Sequence, residues 1–169
     1  MIRIIIIFIL CLLVATLQVS VMPFLSILSG GIFLPLIIIL AKVFFDDYGW
    51  QKTKDLVFFS LFSGLIIDLL SATVFPTAAI ALLVSLVIVL ILRKSIITER
   101  QPLMVSLTVF FQSIIFDLVF LLLNHQLISS WQLLRILLVD ASLSVIFFWI
   151  IIYLSTRINP GLTKKKYRF

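Results

Sequence analysis

Three carboxylates, Asp68, Asp117 and Asp140, each lie inside a stretch of sequence apolar enough to cross a bilayer. An ionised side chain in hydrocarbon costs roughly 2.5 to 3.5 kcal/mol on insertion scales, so each must face a protein interior, a wet cavity or a partner. Two kinds of chemistry are open to them. They either hydrogen-bond to polar groups on neighbouring helices and hold those helices together, or form an acidic, partly wet site that faces outward and takes a cationic or polar partner. Catalytic sets are missing around them. The one His, His125, and the one Cys, Cys11, fall in different layers, so no nucleophile, base and orienter can assemble, and no enzyme activity is expected. The five glycines are scattered and no phosphate-cradling loop exists. No His, Cys or carboxylate spacing fits a metal site, so neither a cofactor nor a metal is expected. Cys11 reads as a small buried apolar residue and His125 as a solvated loop residue.

The elements that position these residues follow from composition. Hydrophobic residues are 63% of the 169, with a mean hydropathy of +1.34, against about 45 to 50% in a soluble domain. A spanning helix takes roughly 20 residues. The pattern predicts an all-α membrane protein, a single integral domain of six transmembrane helices with short loops and no room for a soluble catalytic domain. The spans run over about Ile4–Met22, 30–45, Leu56–Phe75, Thr77–Leu92, Leu103–Leu123 and Leu133–Leu154, with a basic tail over 157–169. Gly30, Gly31 and Pro35 make the second short or kinked, with a re-entrant segment as its alternative. The first has a signal-like shape, Arg3 followed by Ile4 to Leu17, but no small-x-small site precedes Pro23, so a retained helix is expected.

Charge sets the orientation. With both termini inside, twelve of the 13 Lys and Arg residues are cytoplasmic: Arg3, Lys42, Lys52, Lys54, Arg93, Lys94, Arg100, Arg157, Lys164, Lys165, Lys166 and Arg168. Only Arg135 lies outside, a strong positive-inside asymmetry. Tyr48, Trp50, Trp131 and Tyr153 fall near span boundaries, as interfacial aromatics do. The net charge of +6 is spread along one membrane face, which makes anionic lipid rather than nucleic acid the expected partner. Lys164, Lys165, Lys166 and Arg168 are the candidate lipid-surface residues, although a run of this kind also serves as a topology signal alone.

At 100° per residue, Ser60, Ser63, Gly64, Asp68 and Ser71 fall on one side of the third helix and Phe58, Phe62, Leu65, Ile66 and Leu69 on the other. Ser60, Gly64 and Asp68 form a small-residue row with a carboxylate at its end, and Thr77, Ala81 and Ser85 repeat the spacing on the fourth helix. Such rows let backbones approach closely, predicting an antiparallel hairpin joined by almost no loop. The fifth helix aligns Ser106, Ser113, Asp117 and Asn124, the sixth Asp140, Ser144 and Phe147, and the first, more weakly, Cys11, Ala15, Gln18 and Met22. Asp68 and Asp117 stand roughly 20 Å from the inner surface and Asp140 about 10 to 13 Å below the outer end of its helix. All three therefore occupy one level in the outer half.

The run from Phe58 to Lys94, with Gly64, Leu65, Asp68, Leu69, Leu70 and Ser71 at its centre, resembles the rod-shape-determining membrane protein family MreD. Members carry a GLxxDLLS run followed by a hairpin and a basic inner loop. The chain departs from the family at Leu36, where an Asp usually follows the proline of the second helix, and at Ala72, Thr73 and Pro76, where glycines are usual. The resemblance implies a non-enzymatic scaffold of the bacterial cell-elongation and peptidoglycan synthesis machinery in the inner membrane. It would partner MreC and, through it, MreB and the RodA and penicillin-binding-protein synthase pair; self-association is a further expectation. A second class of similar size is the substrate-binding S component of energy-coupling-factor vitamin transporters, which also has six helices. Few aromatic or amide residues in short outer loops speak against it. A solute carrier with inverted repeats lacks the internal symmetry it would need.

Overall fold

The computed structural model describes residues 2–20, 33–45, 50–71, 74–96, 102–124 and 130–158. Every described element is helical: α1 (Ile2–Ser20), α2 (Leu34–Phe45), α3 (Trp50–Leu70), α4 (Thr77–Ile96), α5 (Pro102–Leu123) and α6 (Ser130–Ile158). The class is all-α. By length and composition two helices are apolar enough to cross a membrane, over Pro102–Leu123 and Trp131–Leu154, and Ile5–Ser20, Leu34–Phe44 and Thr77–Leu92 are shorter apolar stretches.

Several ends differ from the hydropathy reading. α3 starts at Trp50, six residues before Leu56, and α4 and α6 run on to Ile96 and Ile158. Apolarity marks the greasy part of a helix, while sequences such as WQKTKD continue the backbone hydrogen bonding beyond it. In the other direction α3 stops at Leu70, not Phe75. Pro76 cannot donate and pushes the residue before it out of the α region, so a bend at Ser71 and a turn through Phe75 and Pro76 separate α3 from α4. The hairpin therefore has a real connection, where almost no loop was expected. α2 is short: 12 residues make about 18 Å of helix. Pro35 sits in its first turn, where no amide is needed. Gly30 and Gly31 lie outside the described residues.

α2 is also the hub. Helix pairs α1 and α3, α3 and α4, α4 and α5, and α5 and α6 pack side by side, and all five helices touch α2. Among the described residues α1 and α6 do not meet, so the five form an open arc around α2. Leu36, Ile37, Ile39, Leu40, Val43 and Phe44 of α2 are buried in the main core, where Phe44 meets Phe148 edge to face at 6.2 Å. Phe33, just before α2, packs on Phe116 at 4.5 Å.

The polarity of the bundle is inverted relative to a soluble protein. Ser60, Ser63, Asp68, Ser85, Gln112, Ser113, Asp140 and Ser144 are buried, while large apolar side chains cover the outside of every helix except α2. Leu69, Leu122 and Trp131 are about three-quarters exposed, and Ile5, Ile6, Ile9 and Leu13 expose more than half their surface. Soluble monomers rarely show continuous apolar surface on this scale.

Candidate functional site

The glycine and aspartate of the third-helix row do one job together. A Cβ built on Gly64 would lie 2.3 Å from the Cα and 2.6 Å from the amide nitrogen of Ala79, so the backbones of α3 and α4 touch at this point. One turn further on, Asp68 reaches the first turn of α4. Its carboxyl accepts hydrogen bonds from the Ala78 amide at 3.0 Å, the Ala79 amide at 3.3 Å and the Thr77 hydroxyl at 3.3 Å. The first amides of a helix have no partner within it and carry the positive end of its dipole, so an acidic cap is favourable. Here the cap comes from the preceding helix, and only a glycine at position 64 lets that helix come close enough to supply it.

The rest of the row is satisfied locally. Ser60 donates to the Leu56 carbonyl, Ser63 to that of Phe59 and Ser71 to that of Ile67. Cys11 of α1 is buried against α3, its thiol 3.7 Å from the Phe59 carbonyl.

Two further amide side chains tie the same end of the bundle. Gln18 of α1 accepts from the Leu34 amide at 2.8 Å, capping α2 as Asp68 caps α4. Asn124, just past α5, accepts from the Val74 amide at 3.3 Å. The breaks between helices are thus held by side chains borrowed from neighbours.

The three aspartates do not form one site. Among the described residues α3 makes no contact with α5 or α6, and Asp68 belongs to the α3–α4 contact. Asp117 and Asp140 sit on α5 and α6, which pack side by side. Asp140, Ala141, Ser144 and Phe148 are buried on the inner face of α6, Phe147 is half-buried beside them, and Arg135 is exposed. Ser106, on the same stripe as Asp117, accepts from the Trp149 indole at 2.9 Å. The lipid-surface candidates Lys164, Lys165, Lys166 and Arg168, together with His125 and Met22, lie outside the described residues.

Sequence reasoning missed Gln112. It is fully buried on α5, and its Nε2 donates to the Ser85 carbonyl of α4 at 3.0 Å. The rule applied to the aspartates, a polar side chain deep in an apolar run, would have found it. Among the described residues no three His, Cys, Asp or Glu side chains converge as metal ligands.

Comparison with protein-family models, characterised proteins and solved structures finds no match. The functional reading therefore rests on the residues and their geometry.

Proposed function

We propose that the chain is a multi-pass inner-membrane scaffold of the bacterial cell-elongation complex, resembling MreD, without enzymatic activity. Its six helices would span with both termini of the chain cytoplasmic, and an MreC-like protein would be its direct partner. The observation that carries this reading is the interlock of Gly64 and Asp68. The motif on which the resemblance rests is occupied with fixing α3 against α4, which suits a rigid docking body better than a reacting centre. The inverted polarity supports the membrane placement, and the distribution of cations supports the orientation.

Two experiments test it. Reporter fusions or cysteine accessibility should place Lys52 and Glu99 in the cytoplasm and Gln126 outside; an inward Gln126 would overturn the helix count. Crosslinking and co-purification of the whole chain from native membranes should recover an MreC-like protein, and depletion in a rod-shaped host should round the cells. Recovery of ATPase and coupling subunits instead would replace the scaffold by a transporter component.

A further inference from the structure

Among the described residues one side of α2 is left open by its neighbours. Leu36, Ile37, Ile39, Leu40, Val43 and Phe44 are buried, whereas Leu34, Ile38 and Ala41 are half-buried and Lys42 is exposed. At 100° per residue these last four fall within a single sector of about 100°. The arc around α2 ends at α1 and α6, which do not meet, so the sector is the floor of the slot between them. Six cylinders of equal width fit around a seventh, and α2 has five neighbours. With axes about 8 to 10 Å apart, the opening is about one helix wide. Its α1 wall is apolar, because Ile5, Phe8, Ile9, Leu10, Leu12 and Leu13 are all exposed and spread over more than half of that helix.

The exposed lysine on this floor lies below the membrane surface. Phe33 meets Phe116 toward the outer end of α5, and Phe44 meets Phe148 toward the inner end of α6. Lys42 is therefore level with about Ile146, roughly 12 Å short of Leu154, where the apolar stretch of α6 ends. A lysine stem covers part of that distance by snorkelling, but a charge at such depth calls for a partner. The walls supply none: α1 carries no acidic residue, and Asp140 of α6 is buried about 9 Å further outward. Lipid phosphates belong lower, at the level of Tyr153 and Arg157, where the guanidinium donates to the Tyr153 hydroxyl at 3.3 Å.

We propose that the slot between α1 and α6 is the docking place of one membrane-spanning helix of a partner protein, a helix whose Asp or Glu pairs with Lys42. The width fits a helix, and the charge at depth selects a carboxylate. Level with Lys42, that carboxylate stands roughly 12 Å from the inner end of the partner's apolar span. Ala41, the smallest side chain of the floor, lets the incoming backbone approach. The proposal rests on the scaffold reading and names the surface through which the scaffold would hold its partner.

A benzophenone side chain placed at Ile38 of the whole chain, in native membranes, should crosslink to one helix of one protein. Mass spectrometry should map the adduct within about two turns of an Asp or Glu of that helix. The same group at Leu122, exposed on α5 away from the slot, should label lipid. Lys42→Glu should lower the Ile38 crosslink about tenfold, and lysine in place of the partner's carboxylate should restore it. Lys42→Gln, with a smaller fall, replaces Lys42→Glu if that variant does not insert. Asp46→Asn, which removes the acid four residues after Lys42 in sequence, should leave the crosslink unchanged. Adducts from Ile38 to lipid alone, or a crosslink indifferent to the charge at Lys42, would overturn the proposal. An MreC-like protein that co-purifies but crosslinks only from other positions would remove this docking place and keep the scaffold reading. A charge-paired helix from a different protein would do the reverse.

Discussion

Gly64→Leu is expected to prevent α3 from docking on α4, with loss of folded protein from the membrane and of all activity that depends on it. Carbon atoms settle at roughly 3.5 to 4.0 Å, and even a methyl at this position would sit 2.3 Å from the Ala79 Cα. The obstacle is backbone in the first turn of a helix, so no rotamer change relieves it. Gly64→Ala must move the helices apart by about 1 Å, and overpacking of this kind costs about 1 to 3 kcal/mol. Separation also lengthens the Asp68 bonds to Ala78 and Ala79, so the cost of the cap is added. Leucine brings three more carbons into the same space. Thermal unfolding in mild detergent should rank wild type above Gly64→Ala and Gly64→Ala above Gly64→Leu. Equal stability of wild type and Gly64→Ala would mean that the two backbones do not touch here.

The sequence made some of this legible and hid the rest for physical reasons. The all-α class follows from the apolar runs, each of which is helical among the described residues, although by length and composition only two are apolar enough to cross a membrane. Helix ends do not, since hydropathy stops at Leu56 and Leu154 where backbone bonding carries on to Trp50 and Ile158. The small-residue row on α3 was readable because Ser60, Gly64 and Asp68 repeat at one turn. What the row could not reveal was the partner of Asp68: neighbouring-helix hydroxyls were the natural expectation, and backbone amides supply most of the bonds. Depth calculations placed three aspartates at one level. They carried no azimuth around the bundle, and azimuth is what separates Asp68 from Asp117 and Asp140. The central place of α2 was equally hidden, because glycines and a proline read as weakness in a span, whereas a short helix surrounded by five others needs only an apolar face on most sides and a cap at its start.

That cap logic yields the second large effect. Asp68→Ala should leave the Ala78 and Ala79 amides buried without an acceptor, and orphaned groups of this kind cost about 1 to 3 kcal/mol each. The two amides together imply a loss of about 2 to 6 kcal/mol. Asp68→Asn keeps one oxygen to accept from the amides but places an NH2 group near donors and gives up the attraction between carboxylate and helix dipole, worth about 0.3 to 1 kcal/mol at exposed sites and up to about 2 where partly buried. It should therefore be intermediate, not neutral, although interhelical side-chain bonds in membranes average only about 0.6 kcal/mol. Thr77→Val removes a single donor to the same carboxyl and should cost less than either. Unfolding midpoints give the ranking, and hydrogen exchange at the first turn of α4 locates the effect, with Ala78 and Ala79 exchanging faster in Asp68→Ala. The decisive contrast is with partner capture. If Asp68 acts through the cap, capture of an MreC-like protein should fall in proportion to stability across all three variants. A variant with normal exchange at Ala78 and Ala79 that nonetheless fails to capture the partner would show that the carboxyl faces outward in function, and the structural account of this motif would be abandoned.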